Sequence, residues 1–171
     1  MINRTGRGFT LIEILIVVVI LSILTVMGVQ MVSSGSVERN LRHHARVVQS
    51  TIEYACDQAT LQNIPYGVRF FNKAYVFFQY NNQQWQAVIS DDINFSRELT
   101  DGSIFSLEID GQFVVLHDDE IEIPHIMCDT SGQMTAFELI VSDATERHRY
   151  QLKTTDFWQL EGQWLDETQG E

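Results

Sequence analysis

The feature that most constrains this chain is a long apolar segment close to its amino terminus. Between residues 9 and 32 the only ionised side chain is that of Glu13. At about 1.5 Å of rise per residue, a helix of this length crosses a hydrocarbon core of about 30 Å. Arg4 and Arg7 precede the segment, and the positive-inside rule then places the amino terminus in the cytoplasm. The sequence therefore predicts a single membrane-spanning helix with the bulk of the chain on the far side.

A cleaved signal peptide of the ordinary kind does not fit this segment. Such a peptide has an apolar region of about 7–15 residues followed by a small-residue cleavage site, and here the run is longer and no such site follows. The carboxylate of Glu13 is costly inside a membrane unless it is paired or close to the head groups. Two interpretations stay open at this point: an interfacial, hydrated Glu13, or a Glu13 paired with a charge from another copy or another subunit.

A short motif stands at the start of the segment, and it reads Gly8-Phe9-Thr10-Leu11-Ile12-Glu13. It resembles the class III signal of type IV pilins and type II secretion pseudopilins. The resemblance implies that a prepilin peptidase cleaves between Gly8 and Phe9, removing a leader of residues 1–8, and that Phe9 is then N-methylated. Glu13 would be the fifth residue of the mature chain. There it would neutralise the terminal amine of a neighbouring subunit in a filament, where low dielectric strengthens the pairing.

Residues 9–32 are predicted to form a helix that spans the membrane and mediates polymerisation. Residues 33–64 are predicted to form an amphipathic helix after it. Apolar side chains recur at spacings of three and four, as one helical face requires; they are Leu41, Ala45, Val48, Ile52, Ala55 and Ala59. Three of these six are alanines, so a sheet could approach closely. Pro65 disfavours helix at the preceding residue and predicts an end near Asn63.

Two further features of this helix are less determined by the sequence. The stretch Ser33-Ser34-Gly35-Ser36 could cap, kink or break the helix. Arg39, Arg42 and Arg46 lie on a face away from the apolar stripe. A solvated face is the simpler interpretation of these arginines, and a docking patch for the acidic surface of a neighbouring subunit is the alternative.

From residue 65 to residue 171 the pattern changes to short apolar and aromatic runs, which predict strands. The clearest hairpin has Asp110-Gly111 at its turn, because these residues tolerate positive φ. The predicted strands are Gly67 to Phe71, Ala74 to Tyr80, Trp85 to Ile89, Ile104 to Ile109, Phe113 to Leu116, Met134 to Val141, Tyr150 to Lys153 and Phe157 to Leu160. The expected fold is α+β: a long amino-terminal helix packed on an antiparallel β-sandwich or two-sheet domain.

This order of elements is similar to that of the GspH/FimT group of minor pseudopilins. Two local stretches strengthen the resemblance: residues 64–70, IPYGVRF, which resemble the entry to the group's first strand, and residues 131–139, SGQMTAFEL, which resemble its late turn and strand. Ala136 stands where the group's pattern has proline. The resemblance implies a structural role in a type II secretion pseudopilus, with the prepilin peptidase, the major pseudopilin and other minor pseudopilins as partners at the bacterial inner membrane.

The two cysteines bear on the redox compartment of this domain, and its net charge bears on the class of partner that it binds. Cys56 and Cys128 are far apart and form no CxxC motif, so an exported domain would allow a disulfide and a cytosolic one would favour two free thiols. The net charge is −12, which argues against nucleic acid as a partner because phosphate binding needs clustered Lys and Arg. The remaining composition supports one modest hydrophobic core.

No residue pattern favours catalysis, a cofactor or a metal. The densest set of ligand types is His117-Asp118-Asp119-Glu120 with Glu122 and His125, but it lacks the spacing and glycine of a calcium loop. The alternation at residues 120–123 instead predicts a half-exposed strand. His43 and His44 are predicted to be surface residues. Trp158 is predicted to be a core residue, and the sequence does not place Trp164.

Three functions are therefore compared. The first is a minor pseudopilin that helps a type II secretion system export folded proteins across the outer membrane. The second is a minor pilin of a type IV pilus, which would need a basic face if it took up DNA. The third is an anchored periplasmic binding or metal module that joins no filament.

Overall fold

The computed structural model describes residues 11–89, 95–117, 123–156 and 159–165, apart from the side chains of residues 25–34. The chain divides into two compact units, Met1–Val37 and Glu38–Glu171. One long helix, α1, spans Leu11–Gln62 and contributes to both units. Among the described residues, no helix combines the length and the apolar character that crossing a membrane requires. Residues 9 and 10 of the predicted membrane segment lie outside the described residues.

The helix continues through Ser33-Ser34-Gly35-Ser36, so the prediction of a cap or a break there is wrong. A kink at this stretch stays a prediction. A single glycine in a helix interior costs only about 1 kcal/mol relative to alanine, and serine costs less. The long helical runs on both sides outweigh these local preferences.

The carboxyl end of α1 lies where the sequence places it. The helix ends at Gln62, and Asn63 adopts a left-handed conformation with φ of 55°. The amide of Ile64 donates to the carbonyl of Ala59 at 3.2 Å, which satisfies one of the last helical acceptors. Pro65 then leads directly into the first strand. The prediction of an end near Asn63 is therefore confirmed.

The rest of the chain forms antiparallel strands. In chain order they are β1 (Tyr66–Phe70), β2 (Ala74–Asn81), β3 (Gln84–Ala87), β4 (Ser96–Glu98), β5 (Ile104–Ile109), β6 (Gln112–Val114), β7 (Ile126–Cys128), β8 (Phe137–Ser142), β9 (Arg149–Asp156) and β10 (Gln159–Leu165). One sheet has the order β3-β2-β1-β7, with β4 also pairing with β2. The other has the order β10-β9-β8-β5-β6. The predicted fold class, a helix packed on two antiparallel sheets, is confirmed.

The inner faces of the two sheets meet in an aromatic core. Phe70 on β1 and Tyr75 on β2 are register partners and lie on the same face. Both rings contact Phe105 on β5, with centroids 5.5 and 6.1 Å away. Such edge-to-face arrangements add about 0.5–1.5 kcal/mol per pair beyond the burial of area. This cluster joins the first sheet to the second.

Several strand boundaries differ from prediction. The strand predicted for Trp85 to Ile89 ends at Ala87, and the one predicted from Met134 begins at Phe137. Met134 makes a single bridge to Cys128, which draws residues 133–135 towards β7. The strand predicted for Phe113 to Leu116 ends two residues earlier than predicted, at Val114.

Two short strands, β4 and β7, were not predicted from the sequence. Each has three residues, which is too few for an alternating pattern to register. Of the predicted Phe157 to Leu160, residues 157 and 158 lie outside the described residues, and β10 continues to Leu165. Of the strand predicted at residues 120–123, Ile123 is described, and it is exposed and not in a strand.

Candidate functional site

The amino-terminal motif falls partly within the described residues. Gly8 and Phe9, the predicted cleavage and methylation positions, lie outside them. Glu13 stands in the first turn of α1, where the helix dipole favours a negative charge. Its side chain is exposed, and it has no hydrogen-bond or ion-pair partner among the described residues. The exposed carboxylate can be reached by solvent or by another molecule.

The helix around Glu13 is apolar on all sides. Every side chain from residue 11 to residue 24 is exposed. The exposed fraction is 85% at Leu11, 50% at Ile20 and 60% at Leu24. Soluble proteins rarely expose a continuous apolar surface of this kind unless something else covers it. This part of α1 therefore calls for an apolar environment or for other helices.

The predicted apolar stripe on the second half of α1 is confirmed. All six of its residues are 0–2% exposed; they are Leu41, Ala45, Val48, Ile52, Ala55 and Ala59. Ile52 and Ala55 meet side chains of the first sheet around a gap of only about 10 Å³, lined also by Val68, Phe77 and Ile126. The small alanines let the helix lie close to the sheet, as the sequence predicts.

His44 is buried, and its prediction as a surface residue is wrong; His43 is exposed as predicted. The ring Nε2 of His44 donates to Asp101 Oδ2 at 2.8 Å. Burial alone would raise the pKa of Asp101, but hydrogen bonds from His44 and Ser103 outweigh it and lower that pKa to about 2. His44 Nδ1 is buried and has no partner among the described residues. The pair fixes the turn before β5 against the helix.

The helix also meets the edge of the second sheet. Gln49 Nε2 donates to the carbonyl of Leu160 on β10 at 3.1 Å. The guanidinium of Arg42 lies 5.4 Å from the ring centroid of Trp164, which in turn packs edge-on against Tyr150 at 5.0 Å. Trp164 therefore joins the helix to β9 and β10. Arg39, Arg42 and Arg46 are all exposed, and Arg42 also packs on Trp164, which the sequence does not reveal.

A disulfide joins α1 to the first sheet. Cys56 on α1 and Cys128 at the end of β7 form a disulfide, with Cα atoms 5.2 Å apart. That separation lies within the usual range of about 4.4–6.8 Å. The bond fastens the helix to the first sheet across 72 residues of sequence.

An open apolar groove of about 410 Å³ lies beside the disulfide. Tyr80 and Trp85 form one wall, with ring centroids 5.1 Å apart. Met127, Met134 and Pro65 contribute to the rest of the lining. The sequence does not reveal this groove, because its residues come from four separate segments. Its one local signal is the pair of aromatic residues, Tyr80 and Trp85, on either side of the turn between β2 and β3.

The candidate metal ligands do not assemble among the described residues. No group of three or more His, Cys, Asp or Glu side chains suited to a metal ion occurs in the described parts of the chain. Residues 118–122 lie outside them. His125 has a structural role, since its Nδ1 accepts a hydrogen bond from the amide of Phe70 at 3.1 Å. Burial, and then the charge of Arg69, lowers the pKa of His125.

One row across the outer face of the second sheet is mostly acidic. It consists of Glu108, Glu138, Lys153 and Glu161 on β5, β8, β9 and β10. Lys153 donates to Glu138 and forms an ion pair with it, and the pKa of Lys153 is raised by this hydrogen bond and by the charge of Glu138. Such a face lacks the clustered cations that nucleic acid binding requires. Trp158 and residues 166–171 lie outside the described residues.

The comparisons with known proteins agree with this architecture. Residues 3–29 match the family model of the prokaryotic N-terminal methylation motif. Type II secretion system protein H of Pseudomonas aeruginosa is 29% identical over 167 residues, covering 92% of this chain and 95% of that protein. Its counterpart from Aeromonas hydrophila is 23% identical over 166 residues, covering 90% and 91%.

Solved structures show the same fold at lower identity. The minor pseudopilin EpsH of the Vibrio cholerae type 2 secretion system matches with a TM-score of 0.61 and 19% identity, over 79% of this chain and 99% of that one. E. coli GspH matches with a TM-score of 0.60 and 20% identity, over 75% and 91%. The predicted resemblance is thus confirmed: this chain carries the N-terminal methylation motif, is similar along its length to type II secretion system protein H, and has the fold of the minor pseudopilin EpsH.

Proposed function

We propose that this chain is a minor pseudopilin, a structural subunit of the periplasmic pseudopilus of a type II secretion system. The observation that carries the proposal is an apolar helix, exposed from residue 11 to residue 24, with the exposed carboxylate of Glu13 in its first turn. That helix suits a subunit that is stored in a membrane and then packed among the helices of a filament. The work of such a subunit is assembly and contact, and no catalytic role is proposed.

Processing of the amino terminus belongs to the same proposal. A prepilin peptidase removes residues 1–8 by cleavage between Gly8 and Phe9, and Phe9 is N-methylated. The match of residues 3–29 to the methylation motif supports this step. The new amine at Phe9 stays cationic, and in the filament it pairs with Glu13 of a neighbouring subunit. A carboxylate is costly inside the membrane, and pairing with a cation in the filament offsets that cost. A paired Glu13 therefore favours the assembled state over the membrane-embedded subunit, whereas a hydrated, interfacial Glu13 would not.

Residues 9–32 then anchor the subunit in the bacterial inner membrane as a single pass. The amino terminus faces the cytoplasm, as Arg4 and Arg7 favour, and the unit from Glu38 onward faces the periplasm. A periplasmic location is compatible with the disulfide between Cys56 and Cys128, because such bonds persist in oxidising compartments. The partners are the prepilin peptidase, the major pseudopilin and the other minor pseudopilins.

Two measurements test the proposal together. Mass spectrometry of the chain isolated from cells with a prepilin peptidase should find a methylated Phe9 at the amino terminus. Crosslinking in the inner membrane should recover other pseudopilins with this chain. An intact Met1, or the absence of any pseudopilin among the crosslinked proteins, would contradict it.

The charge of this chain favours secretion over the alternative of a DNA-binding pilin. The net charge is −12, and a row across the outer face of the second sheet has three carboxylates, Glu108, Glu138 and Glu161, against the one cation of Lys153. Retardation of duplex DNA by this chain at physiological salt would instead favour DNA uptake by a type IV pilus.

A further inference from the structure

The apolar groove beside Tyr80 and Trp85 is open to contact from outside the chain. Its volume of about 410 Å³ falls within the range of about 300–1,000 Å³ that is usual for ligand clefts. Tyr80 is 40% exposed and Met127 is 46% exposed, so both side chains still present surface to solvent. Tyrosine, tryptophan and methionine are enriched where proteins meet each other. The composition of the groove therefore favours a protein partner.

The groove also carries one negative charge. Asp129 is exposed and belongs to the lining. The hydroxyl of Ser131 donates to Asp129 Oδ1 at 2.6 Å, and this hydrogen bond is the main cause of the lowered pKa of Asp129. The carboxylate has no ion-pair partner among the described residues, and none of the described residues that line the groove is Lys, Arg or His. The lining thus combines an ionised carboxylate with accessible aromatic rings.

A second aromatic pair in this chain shows what such a pair can hold. The rings of Tyr150 and Trp164 have centroids 5.0 Å apart, and the guanidinium of Arg42 lies 5.4 Å from the Trp164 centroid. Tyr80 and Trp85 have centroids 5.1 Å apart, and no cation of the described residues lies over either ring. The two pairs are alike in residue type and spacing, but only the pair on β9 and β10 holds a guanidinium from the described part of the chain.

We propose that the groove receives an arginine side chain of a different pseudopilin, held by the rings of Tyr80 and Trp85 and by the carboxylate of Asp129. A guanidinium is planar and weakly hydrated, so it stacks on aromatic rings and also pairs with a carboxylate through two parallel hydrogen bonds. Met127 and Met134 pack on the aliphatic part of the same side chain. The ammonium group of lysine is a strongly hydrated point charge and suits this lining less well.

The source of the arginine rests on the proposed function, in which this chain works by contact with other subunits. The net charge of −12 disfavours a second copy of this chain as the partner, because like-charged copies repel each other. The same charge favours a basic segment of a different subunit.

Peptide binding to the full-length chain tests the chemistry of the groove. The chain in zwitterionic detergent is titrated with an acetylated, amidated pentapeptide that has one arginine between alanines. The chain has three tryptophans, and the indole N–H resonance of Trp85 is identified by its loss in Trp85→Phe. This resonance should shift and saturate. The matching citrulline peptide, which keeps the shape and lacks the charge, should bind at least tenfold more weakly. Equal binding of the two peptides, or an unmoved Trp85 resonance, would overturn the inference.

A charge-removing variant tests the role of Asp129. Asp129→Asn keeps an oxygen that can accept from Ser131 and removes the charge, so the affinity for the arginine peptide should fall at least fivefold while that for the citrulline peptide stays unchanged. Asp110→Asn is the matched control, since Asp110 is an exposed carboxylate in the turn between β5 and β6. Unchanged affinity in Asp129→Asn, or an equal loss in both variants, would contradict the proposal.

Photo-crosslinking in cells tests the source of the arginine. Gln133 is an exposed residue of the groove, and p-benzoyl-L-phenylalanine in its place should capture a different pseudopilin next to an arginine. Changing that arginine to glutamine should reduce the crosslink at least tenfold. An unchanged crosslink, or capture of a second copy or of no pseudopilin from this position, would overturn the inference alone. Absence of other pseudopilins from crosslinks at every exposed position of the domain would also contradict the proposed function.

Discussion

His44 on α1 and Asp101, 57 residues later, are joined by a 2.8 Å hydrogen bond that fixes the turn before β5 to the helix. His44 is 9% exposed, whereas the side chain of Asp101 is 28% exposed. Asp101 also accepts a hydrogen bond from the amide of Ser103 at 3.2 Å, which shapes the turn itself. A single carboxylate therefore holds both the turn and its attachment to the helix.

Asp101→Ala should destabilise the domain, because it leaves the Nε2 donor of His44 buried without its partner. An unsatisfied buried donor costs about 1–3 kcal/mol of unfolding free energy. Urea unfolding of the fragment from Glu38 onward, which is a compact unit, would measure the loss. Asp57→Ala is a suitable control, since Asp57 is an exposed carboxylate on α1. An equal, small loss in both variants would contradict this account.

The same carboxylate gives a prediction for acid stability. The pKa of Asp101 is about 2 in the folded chain against 3.8 for the free group. Because the folded pKa is the lower one, the contribution is fully present above pH 3.8 and is lost as pH falls towards 2. With allowance for solvent screening it amounts to about 1 kcal/mol. Asp101→Asn should remove this part of the pH dependence between pH 4 and 2, measured as unfolding free energy against pH.

The parts of the fold that the sequence predicts are those set by local rules. The apolar stripe from Leu41 to Ala59 follows helical spacing, and all its members are buried. Pro65 ends the helix through its steric effect on the residue before it. The wrong predictions have non-local causes. His44, for example, is buried where Asp101 approaches it from a segment 57 residues later in the chain.

The turns of the two tight hairpins should respond in opposite directions when glycine is added or removed. Asp110 and Gly111 have φ of 52° and 75°, and Asn82 and Gln83 have φ of 50° and 65°. A left-handed conformation costs an ordinary residue about 1–2 kcal/mol, and glycine does not incur this cost. Gln83→Gly should therefore raise the unfolding free energy by about 0.5–1 kcal/mol, while Gly111→Gln should lower it by about 1–2 kcal/mol. Thermal unfolding would show opposite shifts in Tm, and shifts of the same sign would contradict the turn geometry.

The disulfide should contribute strongly to stability. In the chain-entropy description, a closed loop of 72 residues stabilises the folded state by about 4 kcal/mol. The double variant Cys56→Ala, Cys128→Ala should lose most of this amount in urea unfolding. Reductant should destabilise the wild-type domain similarly and leave the double variant unchanged. A reductant effect on the double variant would show that the loss has another source.

Some residues of the candidate site can be recognised from the local sequence, and others cannot. Gly8, Phe9 and Glu13 are recognisable because the motif is contiguous and its chemistry depends on the order of residues. The groove beside Tyr80 and Trp85 is not recognisable, because folding assembles it from separate strands. A contiguous sequence motif can therefore be recognised without a structure, whereas a surface assembled from separate strands can be recognised only in three dimensions.

Glu13 provides the sharpest prediction for assembly. Glu13→Gln removes the charge and keeps the size of the side chain, so membrane insertion should be unchanged or slightly favoured. Pairing with the amine of a neighbouring Phe9 should be lost, and incorporation into the pseudopilus should fall at least tenfold, measured by crosslinking to the major pseudopilin. Glu38→Gln is the matched control, since Glu38 is an exposed carboxylate further along α1. Equal incorporation of the Glu13→Gln variant and the wild-type chain would show that this charge is dispensable for assembly.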